Sequence, residues 1–462
     1  MMKKFITFAA VAFVFAACHP SVNVTTPPTN GTAKFSNYLA IGNSLTAGYS
    51  DNSLTSTSQL NSFPERLFEQ FSTIPGPFGA KGPFIQPLLP GNYGWPGPKL
   101  ILSMTYPKCD SADSSLGPIY YPYPLDSTGS WLYSNALVNH GQINNIGVFG
   151  MRAVDYLVPG YAGGNPYAYR FYHNPADRPL DELYWMVGNL GPTFFTLWLG
   201  DNDVLGYALA GGQGNGIGTA TPLFGNYYNS SDISPTAAFI ACYDSALKAS
   251  ISTGASGALI NIPDITGLPY FNTIPANGLI LKTMTEVTNL KTLYGPSYDK
   301  AFDTGANYFI IKDHNNLTRQ MVPGELLLLD TTLLHHIQCN GWGSTTPIPA
   351  QYVLTTDEIQ NIRSAVITFN AHIQTLAQLN HLAYVDMYSF YKTLNTGYSY
   401  NGIKYTAQYV NGGAFSLDGI HFTQRGYALV ANQIITTINS YYHSTIPLTD
   451  VNRYSGITFP TN

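Results

Sequence analysis

The sequence predicts an α/β protein in which a parallel sheet is covered by helices. Two observations predict it. Five short apolar runs, at Tyr38–Ile41, Ile146–Phe149, Thr193–Leu199, Ala258–Ile262 and Leu382–Val385, are separated by stretches with helical spacing. Those helical stretches also carry start signals, in which a side chain satisfies the first free amides of a helix. Strands that alternate with helices call for crossover connections, which is how a parallel sheet is built.

Taken in order, the run at 38–41 ends in the small-residue turn Gly42-Asn43-Ser44. Ser62-x-x-Glu65 has capping-box spacing and starts the next helix. The run at 146–149 stops at Gly150, and the run at 193–199 stops at Gly200. A helical pattern around Cys242 leads to the run at 258–262, and Thr355-x-x-Glu358 opens another helix before the run at 382–385. A final helix runs from Thr423, as N-cap, to about Tyr442, with Tyr427, Val430, Ile434, Ile435 and Ile438 at three- and four-residue steps. Three Gly/Pro/Tyr-rich stretches, near 76–138, 204–233 and 266–352, are far longer than ordinary connections. They are read as insertions within one domain spanning 34–445, because the candidate chemical residues lie between positions 42 and 421. A tail, 446–462, follows.

Charged residues are 10% of the 462-residue chain, against 45% hydrophobic and 14% aromatic, which excludes disorder over most of its length. The net charge of -5 is spread without runs, so nothing marks a nucleic-acid partner. The amino end reads as an export signal over 1–17: Lys3-Lys4, then an uncharged, mostly apolar stretch from Phe5 to Ala17. That stretch is shorter than the ~20 residues a membrane-spanning helix needs. Residues 18–33, rich in Thr, Pro, Asn and Val, read as a flexible tether. Of the other cysteines, Cys242 reads as a buried thiol, whereas Cys109 and Cys339 are left either bridged or free.

Four segments carry chemistry. Ser44 follows an apolar strand at the edge where open α/β sheets bind ligands, and the start of a helix there stabilises a developing anion. Asp418 and His421, three residues apart in Asp418-Gly419-Ile420-His421, are able to touch: the carboxylate orients one imidazole nitrogen while the other accepts a serine proton. Histidine suits this because its ordinary pKa of ~6.5 lies near neutrality. Asn202, in Gly200-Asp201-Asn202-Asp203, offers an uncharged N–H to an oxyanion. Gly150 offers an amide at a turn that a substrate can approach closely. Asp201 and Asp203 fail the calcium-loop pattern at Leu205 and Gly212, so no metal is assigned. His335-His336, read as extended chain, point to opposite sides and suit a metal poorly. His140, His173 and His314 are read as loop residues.

These segments, in this order, resemble the conserved blocks of the SGNH/GDSL hydrolases: Gly42-Asn43-Ser44-Leu45, Gly150, Gly200-Asp201-Asn202-Asp203 and Asp418-Gly419-Ile420-His421. The resemblance implies a three-layer, flavodoxin-like α/β/α fold with about five parallel strands. It implies a serine esterase or acylhydrolase with Ser44 as nucleophile and Asp418 and His421 completing a triad. The Ser44 and Gly150 amides and the Asn202 side chain then form the oxyanion hole. Asn43 departs from the family pattern, which has Asp there. Phe15-Ala16-Ala17-Cys18 resembles the lipobox of bacterial lipoproteins, implying lipidation at Cys18 and a membrane partner in the cell envelope. Asn261–Ile265 and Gln351–Glu358 resemble stretches of exported lipoprotein members and are read as structural. No metal or organic cofactor is called for. Two rivals stay open: a catalytically silent lipoprotein binding glycan or lipid in the same cleft, and a carbohydrate O-deacetylase.

Overall fold

In the computed structural model, five parallel strands form one sheet: β1 (Tyr38–Gly42), β2 (Asn145–Gly147), β3 (Phe194–Trp198), β4 (Ser256–Ile260) and β5 (Ala383–Val385). The structure describes residues 27–107, 109, 114–122, 141–216, 229–296 and 301–460. The signal segment 1–17, Cys18, the tether up to residue 26, His140 and parts of all three insertions lie outside the described residues. Spatial order is β5-β4-β3-β1-β2, the 2-1-3-4-5 arrangement expected of a flavodoxin-like fold. Each strand coincides with a predicted apolar run to within a few residues. Phe194, Phe195, Leu197 and Trp198 of β3 are all fully buried, because helices cover both faces of a parallel sheet.

The helices that position the site are α1 (Ser44–Ala47), α2 (Phe63–Phe71), α3 (Pro179–Leu190), α4 (Asn202–Leu209), α5 (Thr236–Ser250), α6 (Thr331–Cys339), α7 (Thr356–Leu379) and α8 (Gln424–Tyr442). The α2 and α8 helices pack together as one layer, and α3, α5 and α7 form the other. Thr423 caps α8 by accepting the Gly426 N–H at 3.0 Å, as its position predicts. Glu358 accepts the Thr355 N–H at 2.6 Å at the start of α7. The box expected at Ser62 does not form: Glu65 turns away to accept from Gln86, and the Ser62 hydroxyl makes no cap bond. Among the described residues no helix is long and apolar enough to cross a membrane.

Three more expectations are corrected, at 204–209, at the tether and at His335-His336. Residues 204–209, assigned to an insertion, belong to α4. The end of the segment read as a flexible tether is pinned, since Thr32 N–H bonds the Tyr442 carbonyl at 2.8 Å and Ala33 is fully buried. The tail also packs back: Asn432 of α8 donates to the Thr449 carbonyl at 2.9 Å, and Val451 is buried. His335 and His336 lie on α6 rather than extended chain, because the Asp330 side chain accepts the Thr332 and Leu333 amides and starts a helix.

The 266–352 stretch has two small apolar clusters of its own, one including Phe309, Ile311, Leu333 and Ile348, the other Leu281, Val287, Leu290, Phe302 and Ile310. A disulfide joins Cys109, beyond the first strand of a hairpin formed by Leu100–Pro107 and Ser114–Tyr120, to Cys339 at the end of α6. Cys242 is buried in α5, and burial pushes its thiol up to about 12.

Candidate active site

β1 and β3 are neighbours, with Gly42 opposite Trp198, so the chain leaves both at the same edge of the sheet. Beyond β1 it turns directly into α1. Gly42 is required there because a Cβ would lie 2.1 Å from the Thr46 hydroxyl and 2.6 Å from the Trp198 carbonyl. Asn43 caps α1 by accepting the Leu45 N–H at 3.0 Å. Ser44 is the first residue of α1, so its N–H has no intrahelical acceptor, and among the described residues no other acceptor meets it.

From the other end of the chain, the loop before α8 brings His421 to Ser44. His421 Nε2 lies 2.9 Å from Ser44 Oγ, and His421 Nδ1 lies 3.0 Å from Asp418 Oδ2. Asp418 Oδ1 accepts the Ile420 and His421 amides at 2.9 and 2.8 Å, so the loop folds around the carboxylate. Its Oδ2 also accepts the Asn52 N–H at 2.9 Å. Burial alone pushes this carboxyl up, but facing His421 and the Asn52 and His421 amides outweigh it and hold it well below the ordinary carboxylate range. Tyr49 packs against the imidazole, with ring centroids 4.7 Å apart. The three side chains are therefore linked, buried and fixed in orientation, an arrangement able to move a proton from a hydroxyl to an imidazole.

Asn202 opens α4 at the end of β3 and lines the same small cleft as Ser44 and His421. One hydrogen of its amide goes to the Met151 carbonyl at 3.0 Å, which leaves the other as a donor. Gly150 sits in the turn after β2, with φ +76 and a Val148–Met151 hydrogen bond of 3.2 Å, the geometry in which glycine is favoured. Among the described residues no acceptor meets its N–H. Asp201 and Asp203 have separate partners: Asp201 faces Asn43, and Asp203 accepts the Ala153 N–H at 2.7 Å.

Three contributions escaped the sequence reading. Asp51 and Asn52 both adopt left-handed backbone, at φ 53 and 60, and so present the Asn52 amide to Asp418; two successive residues tolerant of that conformation were the available signal. Asp203, through Ala153, holds the turn that carries Gly150. Pro263 and Ile265, in a stretch read as structural, line the cleft beside Ser44. His173 and His314 do lie in loops, where they face Glu182 and Glu358.

Two solved structures resemble this one in part. A candidate acylhydrolase from Bacteroides fragilis shares 14% identity over 64% of this chain and 74% of its own, with a TM-score of 0.25. A GDSL-like lipase from Bacteroides thetaiotaomicron shares 12% over the same fractions, with a TM-score of 0.26. No curated protein matches the sequence. The family model for GDSL-like lipase/acylhydrolase matches residues 38–434, which takes in all four segments at the sheet edge. The chain belongs to the GDSL-like lipase/acylhydrolase family, hydrolases acting on ester bonds.

Proposed function

We propose that the protein hydrolyses carboxylic esters in two steps, with Ser44 as nucleophile. His421 Nε2 takes the Ser44 proton as Oγ attacks the ester carbonyl, and the Ser44 amide, Gly150 amide and Asn202 side chain bind the oxyanion. The carbonyl re-forms, the alcohol leaves with the proton held by His421, and the acyl group stays on Ser44. His421 then takes a proton from water, which attacks the acyl carbon, and gives that proton to Ser44 Oγ as the acid is released. Asp418 holds the imidazole and stabilises its charged form. One observation carries this reading: Ser44 and His421, 377 positions apart, lie 2.9 Å from each other.

A groove of about 500 Å³ supports a substrate with an extended apolar acyl chain. Leu116, Ile119 and Tyr120 of the hairpin and Leu329 and Leu334 of the 266–352 stretch line it. Asp418 and Ile420 also line it, and Ile420 lines the cleft beside Ser44 as well. Hydrolysis of p-nitrophenyl esters from acetate to palmitate tests both points. The expected result is activity that rises with chain length and is lost in Ser44→Ala. Activity confined to acetate overturns the acyl-chain reading, and activity unchanged in Ser44→Ala overturns Ser44 as nucleophile. The amino-terminal pattern supports export and lipid anchoring at Cys18, tested by loss of fatty-acid labelling in Cys18→Ser.

A further inference from the structure

The residue before Ser44 and the residue before Asn202 are joined. Asn43 Nδ2 donates to Asp201 Oδ2 at 2.5 Å, while Asn43 Oδ1 holds the Leu45 amide at the start of α1. Both residues are buried, and they bridge β1 and β3 just past the last paired residues, Gly42 and Trp198. One side chain therefore touches the helix that carries the nucleophile and the turn that carries the candidate oxyanion donor. In the family pattern the carboxylate stands at the position of Asn43; here the carboxylate stands across the bond, at 201.

We propose that Asn43 and Asp201 are a positioning pair that sets the spacing between the Ser44 amide and the Asn202 side chain, through a bond that needs one donor and one acceptor between the two positions. The inference rests on the ester-hydrolysis reading. Trp198 and Asp203 also act on Asp201, and burial pushes its carboxyl up to about 7. A second carboxylate at 43 removes the donor and sets two acceptors 2.5 Å apart, an arrangement that like charges resist. Misplacing a group at a reacting centre by about 1 Å costs roughly 10²-fold in rate.

The experiment compares kcat and KM for p-nitrophenyl butyrate at pH 8 in Asn43→Asp, Asp201→Leu, Asp201→Asn and the exchanged Asn43→Asp/Asp201→Asn. Thermal midpoints serve as the control for folding. Asn43→Asp and Asp201→Leu are expected to lose about 10²-fold in kcat with KM changed little. The exchange, which restores one donor and one acceptor, recovers at least tenfold over Asn43→Asp, and Asp201→Asn exceeds Asp201→Leu by at least tenfold. An exchange no better than Asn43→Asp alone overturns the pair. Should Asn43→Asp fail to fold, equal kcat in Asp201→Asn and Asp201→Leu overturns it instead. Wild-type protein inert to esters sinks the hydrolysis reading and the pair with it, whereas active wild type with either failed comparison sinks the pair alone.

Discussion

The sheet edge and the 266–352 stretch are both rich in turns, yet they are held together differently. At the edge, groups more than 150 residues apart meet through polar bonds: Ser44 with His421 and Asn43 with Asp201 through buried side chains, and the Asn52 amide with Asp418. The 266–352 stretch is held by two small apolar clusters and by a disulfide to the hairpin opposite. Apolar packing tolerates adjustment, whereas a buried hydrogen bond depends on distance and on which atom donates. Substitutions at the edge should therefore remove chemistry and leave the fold, and substitutions in the other region should do the reverse.

The largest expected effect is at Asp418. Asp418→Asn keeps the volume but favours the wrong imidazole tautomer, and kcat should fall by about 10⁴-fold with the circular dichroism spectrum unchanged. A loss below tenfold breaks the comparison on the side of the edge. Asn202→Ala removes one oxyanion donor and should lower kcat by about 10²–10³-fold while KM holds steady. A rise in KM alone assigns Asn202 to substrate binding.

On the other side, Cys109→Ser/Cys339→Ser opens a closure between residues 230 positions apart and should cost about 2–4 kcal/mol of stability. Denaturant titration reads that loss, and kcat for p-nitrophenyl acetate should stay near wild type. If acetate turnover collapses with the bridge, the two regions are not separable.

The smallest effect is that of pH on stability. Burial pushes the Asp51 and Asp203 carboxyls up to about 6 and Asp201 to about 7. These groups bind protons more tightly folded than unfolded, so their contribution is fully present below ~3.9 and is lost as pH rises through 6 to 7. Asp418, held low, acts oppositely: its contribution is present above ~3.9 and is lost as pH falls further. The thermal midpoint should thus fall between pH 5 and pH 8, and fall less in Asp201→Asn. A midpoint that rises over that interval contradicts the assignment.

The same contrast explains what the sequence disclosed. The strands were legible because a strand buried on both faces is a continuous apolar run. Asp418 and His421 were legible because three residues on one turn already define their contact. Asn52 was not, since nothing local shows that a left-handed turn near position 51 will serve a carboxylate at 418. The Asn43–Asp201 bond depends on β1 lying beside β3, which spacing along the chain does not state. Strands of two or three residues, as at Leu326–Leu327 and Ile310–Lys312, are too short to show a period. The α6 helix does not show in the sequence because its start depends on the Asp330 side chain.

The most direct test of the account is the mass of the protein after exposure to a fluorophosphonate at pH 8. One phosphonyl group on the peptide that contains Ser44, absent in Ser44→Ala and much slower to form in His421→Ala, is the predicted result. Wild-type protein that stays unmodified, or that carries the group on a different residue, contradicts it.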